Sequence, residues 1–377
     1  PELKGSWMLA GRRTYFDMIA NGLWKNLVKP KFSEEEQKDM PDKIFPYYFY
    51  DFQGKMNLDI ANDHRLTWST FYGDDIVNYD YTSTSYYDNG ESSYEGKDDI
   101  YFDWRWGNFT NSLSWRWIVS PKLILKSSLA NSRFRFRVDM DNEFYNYYES
   151  PYDTSTSTNI FKMDIHDIIE DNSISTSLLW YFNDNHKIKA GLQSKSLLFN
   201  LAFIFSIDEN YNGEQFSFTD TLMYMESMPF ERSAYIQDSW QVSPLLSCQP
   251  GLRMTYFSGS QKMYYSPRFA VKYFIQDNIS AKFSIGRYYQ FLTVANPPDE
   301  NLRFLDIWFA IPEKYNIPQA DHFIFGLEYL SDSDILFRSE TYYKSFEHLL
   351  TLKPSEMISL NDDGMLRIDP FNEFWDT

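Results

Sequence analysis

The sequence predicts an all-β chain, an antiparallel up-and-down transmembrane β-barrel that is incomplete, with about 13 strands of a larger barrel. Three observations predict it. Long stretches alternate strictly between apolar and polar residues, and helical periodicity is almost absent. Tight turns alternate with long polar connections, as expected when the two rims of a barrel face different compartments. Aromatic residues make up 19% of the chain and gather near strand ends, where amphipathic rings prefer the boundary between lipid and water.

Composition narrows the choice further. The 377 residues carry 35 Lys plus Arg against 53 Asp plus Glu, a formal net charge of −18, so a nucleic-acid partner is excluded for want of a basic face. The aromatic content is far too high for a disordered acidic chain. A single cysteine, Cys248, excludes a disulfide framework and a thiolate metal cluster. No run of about 18 apolar residues exists, which excludes a transmembrane helix. The opening Pro1-Glu2-Leu3-Lys4 has no charged segment followed by an apolar one, so a secretory signal is expected to have been removed or to lie outside a partial chain.

The elements follow in order. Ser33 followed by three glutamates predicts a short helix within 33–40, with the serine as N-cap. From 48 to 60, Tyr48, Tyr50, Phe52, Met56, Leu58 and Ile60 share one face, and Asp51, Gln53, Lys55, Asn57 and Asp59 the other. Ala61-Asn62-Asp63-His64 is a turn, and Leu66, Trp68, Thr70 and Tyr72 return on the apolar side. The unit recurs. Leu113, Trp115 and Trp117 reach Ser120-Pro121 and come back through Leu123 and Leu125; Ile174 to Phe182 reach Asn183-Asp184-Asn185-His186 and come back through Ile188, Ala190 and Leu192. Later turns are Ser243-Pro244, Gln276-Asp277-Asn278 and Ser331 to Asp334. Long loops are expected at about 18–45, 74–100, 142–169, 208–229 and 293–318.

Strands that hold alternation for ten residues or more suit a tilted crossing of the hydrocarbon layer, whereas soluble strands average about five or six. The polar face carries Lys187, Lys189, Gln193 and Lys195, which a packed core would not bury unpaired. Two irregularities stand out. The apolar side is odd-numbered at Leu123 but even-numbered by Phe134, Phe136 and Val138, which a β-bulge or emergence of the strand above the membrane explains. Asp238 and Arg287 fall on apolar faces and are read as rim positions.

Several hairpins resemble a known family. Ala234-Tyr-Ile-Gln-Asp-Ser-Trp-Gln-Val-Ser-Pro-Leu-Leu with Pro250-Gly-Leu-Arg-Met-Thr-Tyr resembles barrel hairpins of TonB-dependent outer-membrane receptors. Ser266-Pro-Arg-Phe-Ala-Val-Lys-Tyr with Ser280-Ala-Lys-Phe-Ser-Ile-Gly-Arg-Tyr-Tyr-Gln looks like the next hairpin, and Ser6-Trp-Met-Leu-Ala-Gly-Arg-Arg-Thr-Tyr-Phe-Asp is similar to an earlier strand. The resemblance is sharpest over 230–292. It implies a 22-stranded barrel in the bacterial outer membrane, closed by an N-terminal plug domain and energised through TonB. Residues 1–377 are then expected to be one partial barrel domain without the plug, because no plug or TonB-binding segment precedes the strands and the chain stops at Phe374-Trp375-Asp376-Thr377 within an apparent loop. An open barrel edge in lipid would leave backbone groups unpaired, so the chain is expected to be a middle piece of a longer protein.

Candidate contacts follow from the pattern. Arg133, Arg135 and Arg137 alternate with Phe134, Phe136 and Val138 and continue into Asp139 and Asp141, predicting a lumenal arginine ladder that meets plug or substrate carboxylates, or pairs with neighbouring strands. Tyr86, Tyr87, Tyr145, Tyr147 and Tyr148 are loop aromatics suited either to stacking on sugars or flat chelates or to packing within the loops. Acidic clusters at Asp74-Asp75, Asp98-Asp99 with Asp103, Asp139 to Glu143 and Asp362-Asp363-Gly364 lack calcium-loop spacing and are read as solvated loop charge. No histidine has a partner at i, i+4 or a cysteine beside it, so neither metal nor cofactor is expected, and His64 and His186 are read as turn residues. Cys248 lies on an apolar face with Leu246 and Met254. No catalytic motif is present, so the chain is not expected to be an enzyme.

The function expected is an outer-membrane receptor barrel for energy-coupled uptake of a bulky nutrient: a siderophore, cobalamin, a glycan or a peptide. Its partners are then outer-membrane lipid, the plug of the same protein, TonB through that plug, and the nutrient. The alternatives are a passive porin-like barrel and a soluble secreted all-β protein that binds or cleaves polysaccharide.

Overall fold

The computed structural model describes residues 4–38, 40–295 and 307–352, and the short strands 358–360, 366–368 and 374–376. Strand β1 (Lys4–Arg13) leads through helix α1 (Phe16–Leu23), a π-helical turn at Trp24–Val28, a 3-10 turn at Lys29–Lys31 and helix α2 (Glu34–Lys38). Long strands follow: β2 (Tyr47–Ala61), β3 (His64–Asp88), β4 (Ser93–Ser120), β5 (Leu123–Glu149), β6 (Thr154–Tyr181) and β7 (His186–Tyr211). Then come β8 (Glu214–Ser227), β9 (Phe230–Ser243), β10 (Leu246–Phe257), β11 (Lys262–Gln276) and β12 (Ile279–Tyr289). The small pair β13 (Leu292–Ala295) and β14 (Ile307–Ala310) precedes β15 (Gln319–Leu330) and β16 (Leu336–Glu347). Helix α2 is capped as its sequence predicts: the Glu36 N–H donates to Ser33 Oγ at 3.3 Å, and the Ser33 N–H donates to Glu36 Oε2 at 2.8 Å.

The strands form one 14-stranded antiparallel sheet in chain order, except that β8 pairs with β7 alone and β13 and β14 pair with each other. Thirteen therefore stand in line, the expected number. All six tight turns fall where turn chemistry placed them. None of the described helices is long and apolar enough to cross a membrane. Phe374–Asp376, read as loop, pairs with Leu350–Leu352.

Residues directly opposite one another in a ladder share a face, so register tests the face assignment. Met56, Trp68, Leu113, Leu129 and Ile174 form one row across five strands. Leu125, Leu178, Ala190, Ile236 and Leu252 form another on the same face. On the opposite face Asn57, Thr67, Ser114, Ser128, Ser175, Gln193, Ser233 and Thr255 are in register, a band of neutral hydrogen-bonding groups. The first face is called outer below. Its apolar side chains stand exposed, among them Trp7 at 75% and Leu192 at 65%, where a soluble sandwich would lock them together.

The apolar belt also slides along the ladder. Trp115 is in register, through β5 and β6, with Leu192, whereas Phe283 is in register, through β11, β10 and β9, with His186. The drift is about one residue per strand, a slope of roughly 30 to 35° for a rise of about 3.3 Å per residue and about 4.8 Å between strands. Strands of membrane barrels tilt by nearly this angle.

Three of the expected loops are not loops. β3 with β4, β5 with β6, and β7 with β8 continue as paired strands through most of 74–100, 142–169 and 208–229. Pairing between β5 and β6 is unbroken from Leu123 to Glu149, so the parity change contains no bulge. Which face is apolar inverts in unbroken register, as expected of strands that leave lipid for water. The irregularities beside Ala61, Ser120, Ser247 and Gln276 all adjoin tight turns. β8 and β9 lie along β7 as one line interrupted at Met228-Pro229.

In the complete protein in bilayers, cysteines replacing Leu58, Leu178 and Leu252 are expected to be reached by a lipid-soluble quencher, and those replacing Asn57, Ser177 and Arg253 are not. Equal quenching of both sets would remove the face assignment.

Candidate binding surface on the tall hairpins

A row of side-chain amides marks where the outer face changes character. Asn111, Asn131 and Asn172 are in register on β4, β5 and β6. Asn131 Nδ2 donates to Asn172 Oδ1 at 2.8 Å, and Trp68 Nε1 donates to Asn111 Oδ1 at 2.7 Å. Toward the turns the outer face is apolar. Toward the hairpin tips it is charged, and the inner face becomes apolar instead.

Arg133, Arg135 and Arg137 lie beyond this row. Unbroken register keeps them on the face of Leu125 and Leu129, so their expected lumenal position is corrected: they stand on the outer face above the lipid belt. The alternation is real, but the apolar residues of β5 pass from the face of Leu129 to that of Phe134 while the register continues. Arg135 reaches across Gly107 to Asp74 Oδ1 at 2.7 Å, with its guanidinium over the Tyr72 ring. The Tyr50 and Tyr72 hydroxyls donate to Asp74 Oδ2. Burial, then these hydrogen bonds, push the Tyr50 phenol above its ordinary value. Arg137 holds Asp139 and Asp164, and Arg105 holds Asp103. Burial opposes ionisation of Asp103, yet Arg105 and Asn78 keep its carboxyl below the usual range.

The acidic clusters expected as solvated loop charge thus lie on strands, and several of their carboxylates are paired. Asp75 accepts from Tyr47 at 2.6 Å, Asp99 pairs with Lys97, and Asp141 with Lys162. Asp362 and Asp363 lie outside the described residues. No group of three His, Cys, Asp or Glu that could hold a metal occurs among the described residues. His64 and His186 begin strands instead of filling turns, opposite Trp117 and Trp240, and stack on them at 5.4 and 5.5 Å. Asp238 takes His186 at 2.6 Å near the turn rim, and Arg287 pairs doubly with Asp321 at the far end of β12. Cys248 faces Trp240 and Val271.

On the inner face, Tyr47, Val77, Trp104, Val138, Ile165, Phe203 and Met223 form a single row across seven strands. Trp106, Phe136 and Leu201 lie in the next row toward the lipid. Phe136, Val138 and Ile165 form a buried cluster against Trp104, Trp106 and Phe203, and Phe199 and Leu201 are fully buried. Strand β14 packs against β7. Within this wall sits Asp167, 2% exposed. Neither carboxylate oxygen has a hydrogen-bond partner among the described residues. Burial pushes its pKa up to about 7, tempered by the nearby Trp308 backbone N–H and by His166. The sequence singled out neither Asp167 nor Trp104, although the alternation of Phe102, Trp104 and Trp106 with Asp103 and Arg105 was there to be read.

The tyrosines meet at the tips, divided between the faces. Tyr87, Tyr94 and Tyr148 are in register on the inner face, while Tyr86, Glu95 and Tyr147 are in register on the outer one, with Tyr145 opposite Lys97. Tyr94, which the sequence reading missed, donates to Asn146 at 2.6 Å. Such a surface can stack on flat or apolar groups and bury them.

A membrane-spanning up-and-down sheet with tight turns on one rim and tall hairpins on the other defines an outer-membrane barrel. The chain belongs to the TonB dependent receptor-like, beta-barrel family, whose model matches residues 43–354; barrels of this family are bacterial outer-membrane proteins. The RagAB peptide transporter is 9% identical over 86% of this chain and 47% of its own, with a TM-score of 0.47. The RagAB importer in its open-open state gives 10% over 93% and 55%, with a TM-score of 0.48. The siderophore receptor PirA from Pseudomonas aeruginosa gives 12% over 87% and 58%, with a TM-score of 0.44. The chain spans about half the length of these structures. Comparison with curated proteins finds no match.

Two outcomes are expected here. A Cβ on Gly107 would lie 2.0 Å from Asp74 Oδ1 and 2.4 Å from the Gly73 carbonyl oxygen, so Gly107→Ala should break the Arg135 bridge and lower stability by roughly 1–3 kcal/mol. Thermal unfolding of the full protein in detergent measures this, and Arg135→Ala should add little to it. Because the Asp167 pKa is raised in the folded wall, its neutral form stabilises the wall. That stability is fully present below the ordinary aspartate value and is lost as pH climbs toward about 7. Asp167→Asn should therefore protect the β5–β6 hairpin from hydrogen exchange at pH 8, by a few kcal/mol at most, and leave it unchanged near pH 4. Identical pH profiles would contradict the buried charge.

Proposed function

We propose that this chain forms the wall of an outer-membrane importer energised through TonB, with the three tall hairpins as its capture surface for a bulky nutrient. The inversion of apolarity at the Asn111–Asn131–Asn172 row carries the reading, because in unbroken register it separates a lipid belt from a wall that stands in water. The inner wall, with Trp104, Trp106 and the tip residues Tyr87, Tyr94 and Tyr148, suits a ligand that presents flat or apolar surface. Siderophore, cobalamin, glycan and peptide all meet that description. The full-length protein is proposed to supply the plug that TonB pulls, and Arg135 and Arg137 to shape the outer flank of the capture surface without touching the plug. No bond is made or broken.

Deleting the gene and supplying iron-siderophore, cobalamin, oligosaccharide or peptide as the limiting source should abolish growth on one class, and a TonB-deficient strain should lose the same class. Steady conductance of the purified full-length protein in planar bilayers would favour a passive channel instead.

A further inference from the structure

Helix α1 and the turn after it bury the side that water would be expected to wet. Asp17, 8% exposed, accepts from Arg13 at 3.0 Å. Asn21 donates to the Phe45 carbonyl at 2.9 Å and accepts from the Ile44 and Phe45 N–H groups, while Trp24 Nε1 donates to the Pro41 carbonyl at 2.8 Å. The opposite side is apolar and largely exposed, although the Phe16 ring meets Phe45 edge-on at 4.7 Å. Phe16, Ile19, Leu23 and Leu27 are 60, 59, 50 and 58% exposed, and their spacing of three and four residues sets them on one stripe. Leaving water is favourable for each such side chain, so an apolar medium covers the stripe.

Its position says which medium. Arg13 lies opposite Tyr50 and shares the outer face with Trp7 and Leu9 of the lipid belt. Because the belt climbs by about one residue per strand toward β1, α1 begins where the belt ends, among Tyr15 and Tyr48, over which the Arg13 guanidinium lies. Charge points the same way. Of the cations in residues 12–31, Arg12, Arg13 and Lys29 are held by Asp51, Asp17 and Asp42, whereas Lys25 and Lys31 stand exposed in a chain of net charge −18. The geometry points to α1 and its following turn lying in the plane of the bilayer surface on the hairpin side, with Phe16, Ile19, Leu23 and Leu27 among the acyl chains and Lys25 and Lys31 at the phosphates of anionic lipid. The occupant is lipid because the stripe continues a lipid-facing surface and has cations beside it. The inference rests on the bilayer placement proposed above.

The test uses the full-length protein in a Cys248→Ser background, reconstituted in phosphatidylethanolamine and phosphatidylglycerol vesicles with brominated acyl chains. Fluorophores at Ile19→Cys, Leu23→Cys and Leu27→Cys should be quenched as strongly as one at Leu129→Cys, and fluorophores at Lys25→Cys and Lys31→Cys only weakly. Quenching at the helix by aqueous iodide would show a face in water. Protection from both quenchers would show a face covered by protein, whether other strands of the chain, a second copy or another partner. Either result overturns the inference. If Leu129→Cys also escapes the brominated lipid, the bilayer placement itself fails, which separates the two claims.

Discussion

The constraint behind this structure is that a backbone in lipid has no water to satisfy it, so every N–H and C=O must find its partner on the next strand. Pairing that complete leaves no freedom to shift by one residue, because a single slip would turn each side chain to the opposite medium. The ladder from β3 to β7 keeps one register from the turns to the tips. When the surroundings change from hydrocarbon to water, the strands answer through composition. Leu129 gives way to Asn131 and then Arg133 on one face, while Ser132 gives way to Phe134 and Phe136 on the other.

Two kinds of energetics meet at that boundary. Below it, exposed leucines and tryptophans are stabilised by lipid and the inner face by water. Above it, the outer face carries ion pairs that are only partly screened, such as Arg135 with Asp74 over the gap left by Gly107, and the inner face packs as a core would. Asp167 is the exception within that packing, a carboxyl placed among apolar groups with little beyond the nearby Trp308 backbone N–H to offset its burial.

The belt and turns were legible in the sequence because their signals are local. Alternation with period two identifies a strand, and Asn-Asp, Ser-Pro and Asp-Asn clusters identify its reversal. The tall hairpins resemble loops in sequence because their Asp, Asn, Ser and Tyr content outweighs an alternation that is still present from Phe102 to Trp106. At Arg133 to Arg137 hydrophobicity alone misassigns the facing, because apolarity marks one face only within a single medium. The burial of Asp167 was out of reach of any local pattern, since it depends on Phe136, Leu201 and β14, which are distant in the chain.

The interruption at Met228-Pro229 shapes the rim. Pro229 still accepts from the Leu197 N–H at 2.9 Å, so the ladder survives the break while β8 ends the high part of the wall and β9 carries the low part onward. From Asn111 to Ser93 the wall rises by on the order of 60 Å of extended chain, whereas β10 and β11 turn back at Phe257 and Lys262. Along this part of the rim the wall is therefore a lopsided skyline, a tyrosine-crested palisade over β3 to β8 that steps down to a sill at β10 and β11.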